Sequence, residues 1–445
     1  MPDILDVGSV SADEFRGKDL IDCGHHDTGA VVVACRPDTV EAGLIGFDLD
    51  DDPGAVGTGA DGADARDGCH AVQNTPRGDC RVHTASKPTR LAGSAEGNQT
   101  LVTVRIGFAG AGGVAVTHLV NLLRLQDAEV VAIHDVDADR IAGCVRRVNA
   151  QQDLGARSGD ESRRFRPKAY TDYRAMIAEA GLNALYICTP PSVRGAIEMA
   201  AIEEDVALCV EKPIALRLDL AREIAGAIRE RNLVSSVCYQ VRYSEAVTDA
   251  HKALGTRPVA MGLGFMLGGV PSVPWWRVHS QSGGQIVEQA THAVDLMRAF
   301  MGEVVRVYGA GALRVHGEMP GFDIHDTGAS VLHFANGAVG SLVNTSVLGG
   351  GSTAGFPTGL HLFAADYRIE VWGGTLKVVT PDKTDEFRYN ASPMLALDTD
   401  FVDAVKRRDP ARVRTSYGDA LRTLAVTLAL DESARSGKVT EVPRV

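Results

Sequence analysis

Three features that mark large classes of protein are missing from this chain of 445 residues. No stretch approaches the roughly 20 consecutive apolar residues that a membrane-spanning helix requires. The first residues, Met1-Pro2-Asp3, are not followed by the basic segment and apolar run of a secretory signal. Lys and Arg do not outnumber Asp and Glu, and the net charge is −12. We therefore expect a cytoplasmic protein without a membrane or nucleic-acid partner.

Aromatic residues are nearly missing from the first hundred positions, which contain only Phe15 and Phe47. This segment has 18 Asp and Glu against 8 Lys and Arg, a net charge of −10, whereas residues 101–445 have 39 against 37, a net charge of −2. Such a polar segment buries too little apolar area to offset the entropy of ordering it. The sequence predicts a low-order leader over residues 1–100, either a flexible extension or a translated segment ahead of a true start near Val102.

The paired ligand spacings of a zinc site are missing as well. Cys and His residues occur in the leader, but only the isolated Cys80-x-x-His83 has a suitable spacing. We therefore predict no metal site. The cysteines after the leader lie mostly in apolar runs, so we expect buried free thiols and no disulfides. They are Cys144, Cys188, Cys209 and Cys238.

A glycine-rich turn follows directly after the leader. Residues 104–109 form an apolar run that predicts a buried strand, and residues 116–125 have helical periodicity. Between them lies Gly110-Ala111-Gly112-Gly113-Val114-Ala115. Gly110 permits a tight turn, and Gly112 allows the backbone to approach a pyrophosphate at the helix N-terminus. The pattern predicts that residues 110–114 bind a dinucleotide, although a glycine turn without function has the same pattern.

Asp135 ends the next predicted strand, over residues 129–134. An acidic residue at this place binds the adenosine ribose hydroxyls and repels a 2′-phosphate. The nearest arginine, Arg140, falls in the following helix. The sequence therefore predicts NAD as the cofactor in preference to NADP. The alternative is that Asp135 only caps the helix that begins near Ala138.

Strands and helices alternate as far as residue 239, which predicts a doubly wound parallel sheet, a Rossmann domain over residues 101–240. Ligands bind at the carboxyl ends of such strands. Thr189 and Pro190 follow one strand, and Glu211 and Lys212 follow the next. We predict that the first three contact the cofactor.

Lys212 is held in an extended conformation by the proline that follows it. Its ammonium would then point into the ligand crevice, where it can stabilise alkoxide character as hydride leaves. Lys212 is therefore a predicted catalytic residue. A surface salt bridge with a nearby acidic residue is the alternative.

The pattern changes over residues 241–445, where seven strand-like segments follow one another with few helices between them. Asn336-Gly337 between two of them indicates a two-residue hairpin. These features predict a second domain with an antiparallel sheet. Helical patterns at residues 397–407 and 416–435 close the chain.

Several short motifs occur in an order that resembles the Gfo/Idh/MocA family, which includes glucose–fructose oxidoreductase and inositol dehydrogenase. They run from the Gly110 turn through Thr-Pro-Pro and Glu-Lys-Pro to His292-Ala293-Val294-Asp295 and a closing segment at residues 401–405. The resemblance covers residues 102–440. It implies an N-terminal Rossmann domain and a C-terminal α/β domain built on an open, mostly antiparallel sheet. Many members associate through that sheet, so it also implies a homodimer or homotetramer.

The resemblance further implies that Lys212 is catalytic and that the His-x-x-Asp segment faces the nicotinamide. His292 and Asp295 share a face if their segment is helical. A neutral imidazole can accept the proton of a reacting hydroxyl, and a nearby carboxylate can fix its tautomer. We predict that both are catalytic; the alternative is a buried core histidine.

Four more side chains are predicted to bind the substrate: Tyr239, Arg242, Trp276 and Glu288. Packing in a domain seam is the alternative for Trp276, and a helix N-terminal carboxylate is the alternative for Glu288. The sequence departs from the family pattern at Ala299, where inositol dehydrogenases carry a second histidine, and at Arg194, where many relatives carry histidine. The first departure moves the general base to His292, with Lys212 as the alternative.

The predicted function is an NAD(P)-dependent oxidoreductase that transfers hydride between nicotinamide and a secondary hydroxyl or carbonyl of a sugar, sugar derivative or cyclitol. Two alternatives are a glycoside hydrolase that uses NAD for transient oxidation and a non-catalytic nucleotide sensor. Retention of Lys212, His292 and Asp295 argues against the sensor.

Deleting residues 1–100 should leave oxidoreductase activity unchanged, because every predicted site residue follows them. The test compares kcat and KM of the full-length and shortened proteins with one substrate. A large loss of activity on deletion would show instead that the leader is part of the fold.

Overall fold

The computed structural model describes residues 83–84, 103–155, 164–349 and 358–445. The predicted leader, apart from residues 83–84, and the start near Val102 lie outside the described residues. None of the helices in these ranges is both long and apolar enough to cross a membrane. The cysteines at 144, 188, 209 and 238 are free. A two-residue strand, β1 (His83–Thr84), pairs with a strand near the end of the chain.

A six-stranded parallel sheet comes first. Its strands are β2 (Val104–Ala109), β3 (Ala128–His134), β4 (Lys168–Tyr170), β5 (Ala184–Ile187), β6 (Ala207–Val210) and β7 (Ser235–Val237), in the order β4-β3-β2-β5-β6-β7. Every residue of β5 and β6 is buried, as expected for a parallel sheet with helices on both faces. The prediction of a doubly wound sheet is confirmed.

Five helices connect these strands: α1 (Gly113–Leu122), α2 (Ala138–Gly155), α3 (Tyr173–Glu179), α4 (Ala196–Glu203) and α5 (Leu218–Glu230). Their sequences place apolar residues on one side. In α5, for example, Ala221, Ile224 and Ile228 are buried at spacings of three and four residues. Helix α1 begins at the glycine turn itself, three residues earlier than predicted, so its N-terminus lies at the carboxyl end of β2.

The second sheet has ten strands. With β1 it contains β8 (Val259–Leu267), β9 (Val304–Ala312), β10 (Thr327–Phe334), β11 (Val339–Thr345), β12 (Gly359–Ala364), β13 (Tyr367–Trp372), β14 (Thr375–Val379), β15 (Thr384–Arg388) and β16 (Thr440–Glu441). The order is β1-β15-β14-β13-β12-β8-β11-β10-β9-β16, and all pairs are antiparallel except β8–β11 and β1–β15. The predicted mostly antiparallel sheet is confirmed, although β1, β15 and β16 of this sheet, and β4 of the first sheet, were not predicted.

The hairpin between β10 and β11 differs from the predicted two-residue form. Phe334 and Ala338 flank a three-residue loop, and the Phe334 N–H donates to the Ala338 carbonyl at 3.0 Å. Only Gly337 has a positive φ, +91°. A two-residue type I′ turn needs a positive φ at both central residues, whereas the three-residue hairpin needs it at the glycine alone.

Six helices follow in the second half of the chain: α6 (Glu245–Leu254), α7 (His279–Ser282), α8 (Gly284–Glu288), α9 (Thr291–Met301), α10 (Pro393–Arg407) and α11 (Tyr417–Ser436). Helix α9 lies close to the strands because glycines stand below it. A Cβ at Gly264 would lie 2.9 Å from the Met297 Sδ, and one at Gly340 would lie 2.4 Å from the Met297 Cε. These glycines therefore fix how near α9, which carries His292, comes to the sheet.

Helix α10 returns to the first sheet. Its Leu397, Phe401 and Val402 are buried in one cluster with Phe108 of β2 and Tyr186 of β5. The Phe401 and Tyr186 rings meet edge to face, with centroids 5.5 Å apart. A segment near the end of the chain thus completes the core on one face of the parallel sheet.

Replacing Leu342 with Ala should destabilise the second sheet, since Leu342 is fully buried on the face toward α9. We expect the free energy of unfolding to fall by about 2–5 kcal/mol. Val315→Ala, at a position outside the strands that is 61% exposed, is the control and should cost about 1 kcal/mol or less. Urea denaturation measures both, and equal losses would contradict the assignment of Leu342 to the buried face.

Candidate active site

A large cavity opens at the carboxyl ends of β2, β3, β5 and β6. Its volume of about 1340 Å³ exceeds the roughly 300–1,000 Å³ of a site for one drug-sized ligand. The walls include residues 110–114, Asp135, Thr189, Pro190, Glu211 and Lys212 from the first half of the chain and Glu288 from the second. The structure therefore brings together all nine predicted cofactor residues.

The glycine turn leaves room at the cavity floor. Gly110 has φ +101°, and a Cβ there would lie 2.7 Å from the Cys188 carbonyl oxygen, so the position requires glycine. A Cβ at Gly112 or Gly113 would meet nothing within 4 Å. No side chain caps the N-terminus of α1. Its free N–H groups and positive dipole end can receive an anion such as a pyrophosphate.

Asp135 lies beside this turn and is 8% exposed. Its Oδ2 accepts a hydrogen bond from the Ala111 N–H at 3.0 Å, and its Oδ1 accepts one from the Asp137 N–H at 3.1 Å. The carboxylate of Asp137 accepts from the Asp139 N–H at the start of α2. The alternative that Asp135 caps α2 is therefore wrong, because Asp137 occupies that place.

Arginines of α2 line the same end of the cavity, and the sequence analysis did not identify them as a group. They are Arg140, Arg146 and Arg147. The Arg147 Nη2 donates to the Ala111 carbonyl at 3.2 Å. Their helical spacing is visible in the sequence, but their orientation toward the turn depends on how α2 packs.

Arg194 connects the two segments at the strand ends. It is 7% exposed, and its guanidinium donates twice to the Thr189 carbonyl, at 2.7 and 3.2 Å. Its Nη1 also donates to the carbonyls of Glu211 and Pro213. The peptide bond between Lys212 and Pro213 is cis. One buried cation thus holds the segment before Lys212 against the Thr-Pro-Pro turn.

Lys212 forms a buried ion pair with Glu288. The Lys212 Nζ donates to the Glu288 backbone carbonyl at 2.7 Å and to the Glu288 Oε1. The Glu288 Oε2 accepts from the Trp276 indole N–H at 2.7 Å. The two charged side chains are 14% and 9% exposed. The alternative of a surface salt bridge for Lys212 is therefore wrong.

His292 lies on the first turn of α9, outside the set of residues that line the cavity but near enough to Lys212 for the lysine charge to act on it. Burial, together with the charge of Lys212, lowers the pKa of His292 to about 3, so the imidazole is neutral at neutral pH. Its Nδ1 is buried and has no hydrogen-bond partner among the described residues. The Tyr239 ring stands edge-on to it, with centroids 5.9 Å apart. A neutral imidazole in this place can accept a proton.

Asp295 does not pair with His292, which corrects the expectation that it fixes the tautomer of that ring. Its two oxygens accept from the Arg242 Nε and Nη2, both at 2.6 Å, and Asp295 is 1% exposed. The Arg242 Nη1 also contacts the Asp419 Oδ2 at 2.9 Å. Burial raises the pKa of Asp295 to about 6 against the pull of Arg242, so the carboxyl is ionised at neutral pH.

Three predicted substrate residues stand behind the cavity wall. Arg242 is occupied by the two carboxylates, and Tyr239 is 1% exposed with its hydroxyl 2.7 Å from the Thr291 Oγ1. Trp276 is also 1% exposed and packs on Phe322. The packed alternative for Trp276 is therefore right. Its neighbour Trp275 lines the cavity instead.

Two family models match the chain. One, described as an oxidoreductase family with an NAD-binding Rossmann fold, matches residues 104–239. The other, described as the GFO/IDH/MocA C-terminal domain, matches residues 259–377. The two matches belong to one family and together include more than half of the chain.

Curated relatives and solved structures agree with this match. Myo-inositol 2-dehydrogenase of Thermotoga maritima is 25% identical over 366 residues, covering 76% of this chain and 99% of that protein. D-Apiose dehydrogenase of Paraburkholderia graminis is 27% identical over 363 residues, covering 75% and 88%. The structure of levoglucosan dehydrogenase with NADH and levoglucosan is similar in fold, with a TM-score of 0.66, 19% identity, and coverage of 77% of this chain and 100% of that one.

Replacing Asp295 with Asn should lower the free energy of unfolding by about 3 kcal/mol, because it leaves the buried Arg242 without its bidentate partner. Asp219→Asn is the control, since Asp219 pairs with Arg217 at an exposed site and should leave the urea midpoint unchanged. If Asp295→Asn kept full stability, the contact with Arg242 would not have the role assigned here.

Proposed function

Because the chain belongs to the Gfo/Idh/MocA family of NAD-binding oxidoreductases, we propose that it transfers hydride between nicotinamide and a secondary hydroxyl or carbonyl of a sugar, sugar derivative or cyclitol. The observation that carries this proposal is the position of Lys212. Its ammonium lies in the same cavity as the glycine turn and is paired with Glu288, and its charge acts on the neutral His292 behind the lining.

The residues at the cavity floor fit a dinucleotide. The open space above Gly112 and Gly113 and the uncapped N-terminus of α1 suit a pyrophosphate. The Asp135 carboxylate, in reach of the ribose, favours NAD over NADP. NAD, when bound, supplies the C4 position that accepts or donates hydride.

Lys212 then orients the reacting oxygen. An ammonium has three donors. Two of them go to the carbonyl and the Oε1 of Glu288, so one remains for the substrate oxygen. Its charge would stabilise the alkoxide that forms as the hydroxyl loses its proton and that becomes a carbonyl when hydride leaves the carbon. His292, neutral and beside Lys212, takes the proton of the hydroxyl in the oxidation direction.

The substrate class follows from the rest of the cavity and from the relatives. Trp275 offers an apolar wall and Glu288 an acceptor, a combination that suits a ring with several hydroxyls. The relatives named above are dehydrogenases of myo-inositol and D-apiose. These names do not favour the glycoside hydrolase or the nucleotide sensor.

We also propose that the protein forms a homodimer or homotetramer through the open face of the ten-stranded sheet. Apolar side chains are exposed on that face by at least 38% each: Met261, Tyr308, Val331 and Val339.

The cytoplasmic location stays a prediction. The predicted domain boundary near residue 240 also stays a prediction. Helix α10 lies after that boundary in the sequence but packs against the parallel sheet of the first domain.

The decisive test is a screen of sugars, cyclitols and their oxidised forms with NAD and NADP, followed by Lys212→Ala on any active pair. We expect kcat to fall at least about 100-fold. Binding of NADH, measured by fluorescence, should persist because the glycine turn is unchanged.

Lys252→Ala, a change at an exposed lysine of α6, is the matched control and should leave kcat unchanged. Unchanged kcat in Lys212→Ala would remove the mechanism. A protein that takes up neither NAD nor NADP would end the proposal.

A further inference from the structure

A buried histidine lies behind the cavity wall, in contact with two carboxylates. His118, on α1, is 0% exposed. Its Nδ1 lies 2.6 Å from the Asp398 Oδ1, and its Nε2 lies 3.2 Å from the Glu211 Oε1. Ionised carboxylates only accept hydrogen bonds. With both carboxylates ionised, each ring nitrogen donates to one of them, so His118 is an imidazolium; its Nε2 also lies 3.6 Å from the Cys238 Sγ.

Asp398 fixes this ring from the far side. It belongs to α10, is 0% exposed, and also accepts from the Asn121 Nδ2 at 2.9 Å and the Tyr186 hydroxyl at 3.2 Å. Burial alone would lower the pKa of His118, but the charge of Asp398 raises it well above its ordinary value. The imidazolium is therefore held by a carboxylate that two other donors, Asn121 and Tyr186, keep in place.

Glu211 is the partner that faces the cavity. Burial would raise the pKa of Glu211, but the hydrogen bond from His118 and the nearby charges lower it, so the carboxyl is ionised. Its Oε1 accepts from His118, whereas its Oε2 has no hydrogen-bond partner among the described residues. Glu211 lines the cavity between the glycine turn and Lys212.

Three side chains, Glu211 among them, are of types that bind metal ions. The His118 Nε2, a Glu211 oxygen and the Cys238 Sγ all lie within 4.8 Å of one another. Metal binding requires an unprotonated imidazole and a thiolate. Here both ring nitrogens are protonated, and burial raises the pKa of the Cys238 thiol well above its ordinary value. The arrangement therefore favours a hydrogen-bonded network over a metal centre.

We propose that His118, backed by Asp398, is a positioning residue for cofactor binding: it turns the Glu211 carboxylate so that its free oxygen accepts a hydroxyl of the bound dinucleotide. This rests on the proposed function, because it needs a dinucleotide in the cavity. On this proposal, Asp398 of α10 affects cofactor affinity through His118 and Glu211, although it lies 280 positions away from His118 in the sequence.

A double-mutant cycle on the full-length protein tests the proposal, with NADH binding measured by fluorescence titration. The variants are His118→Gln, Glu211→Gln and the pair. His118→Gln keeps a donor but removes the charge, so the Kd for NADH should rise about tenfold. In the Glu211→Gln background the same change should alter Kd less than about twofold, because the group through which His118 acts is already neutral.

A structural role would give a different result. Leu119→Ala, at the adjacent buried position of α1, should lower Tm without changing the Kd for NADH. If His118→Gln fails to fold, Asp398→Asn replaces it, since it preserves shape and should weaken NADH binding only when Glu211 is present.

Equal effects of His118→Gln in both backgrounds, or no effect in either, would overturn this inference while leaving the proposed function intact. Failure of the wild-type protein to bind NADH would instead overturn the proposed function.

Discussion

A buried ion pair connects the two sheets at the point where the chemistry is expected. Lys212 stands at the end of a strand of the parallel sheet, and Glu288 ends a helix in the second half of the chain. Removing two charges from water is costly unless their remaining hydrogen-bonding groups are satisfied. Trp276 satisfies the second oxygen of Glu288, which explains why a tryptophan at this position is buried and does not line the cavity.

The features around this pair act to keep its geometry. Arg194 binds the backbone on both sides of Lys212, so the direction of the lysine is set by carbonyls from two strand ends. On the other side, Arg242 and Asp295 hold the base of α9, and glycines below α9 let it approach the sheet. The position of His292 is therefore set by the contacts of its helix, together with the Tyr239 ring that stands edge-on to the imidazole.

Much of this arrangement could be predicted because it depends on local pattern. Parallel strands end on the same edge of a sheet, so the residues after each strand, such as Thr189 and Glu211, meet in one cavity. The glycine turn and the alternating strands could also be predicted, because each is visible as a pattern within a few consecutive residues. The short strands β4, β15 and β16 were missed because two to five residues carry little periodic signal.

The partners of charged side chains could not be predicted, because they come from distant parts of the chain. Asp295 shares a helix with His292, and their spacing suggested that the two side chains pair. The Asp295 carboxylate instead accepts two hydrogen bonds from Arg242. His118 gave no local signal at all, since its carboxylate partners come from Glu211 and from α10. Trp275 and Trp276 are adjacent and identical in type, so the sequence could not show which of them faces the cavity. That choice depends on the orientation of the turn that contains both.

The central claim is that one cavity presents a dinucleotide to Lys212. A crystal structure of the protein with NADH tests it most directly. We expect the pyrophosphate at the N-terminus of α1 and the nicotinamide C4 facing the Lys212 ammonium, with space between them for one carbon–oxygen group of a substrate. A nicotinamide that lies at the opposite end of the cavity, away from Lys212 and His292, would contradict the account.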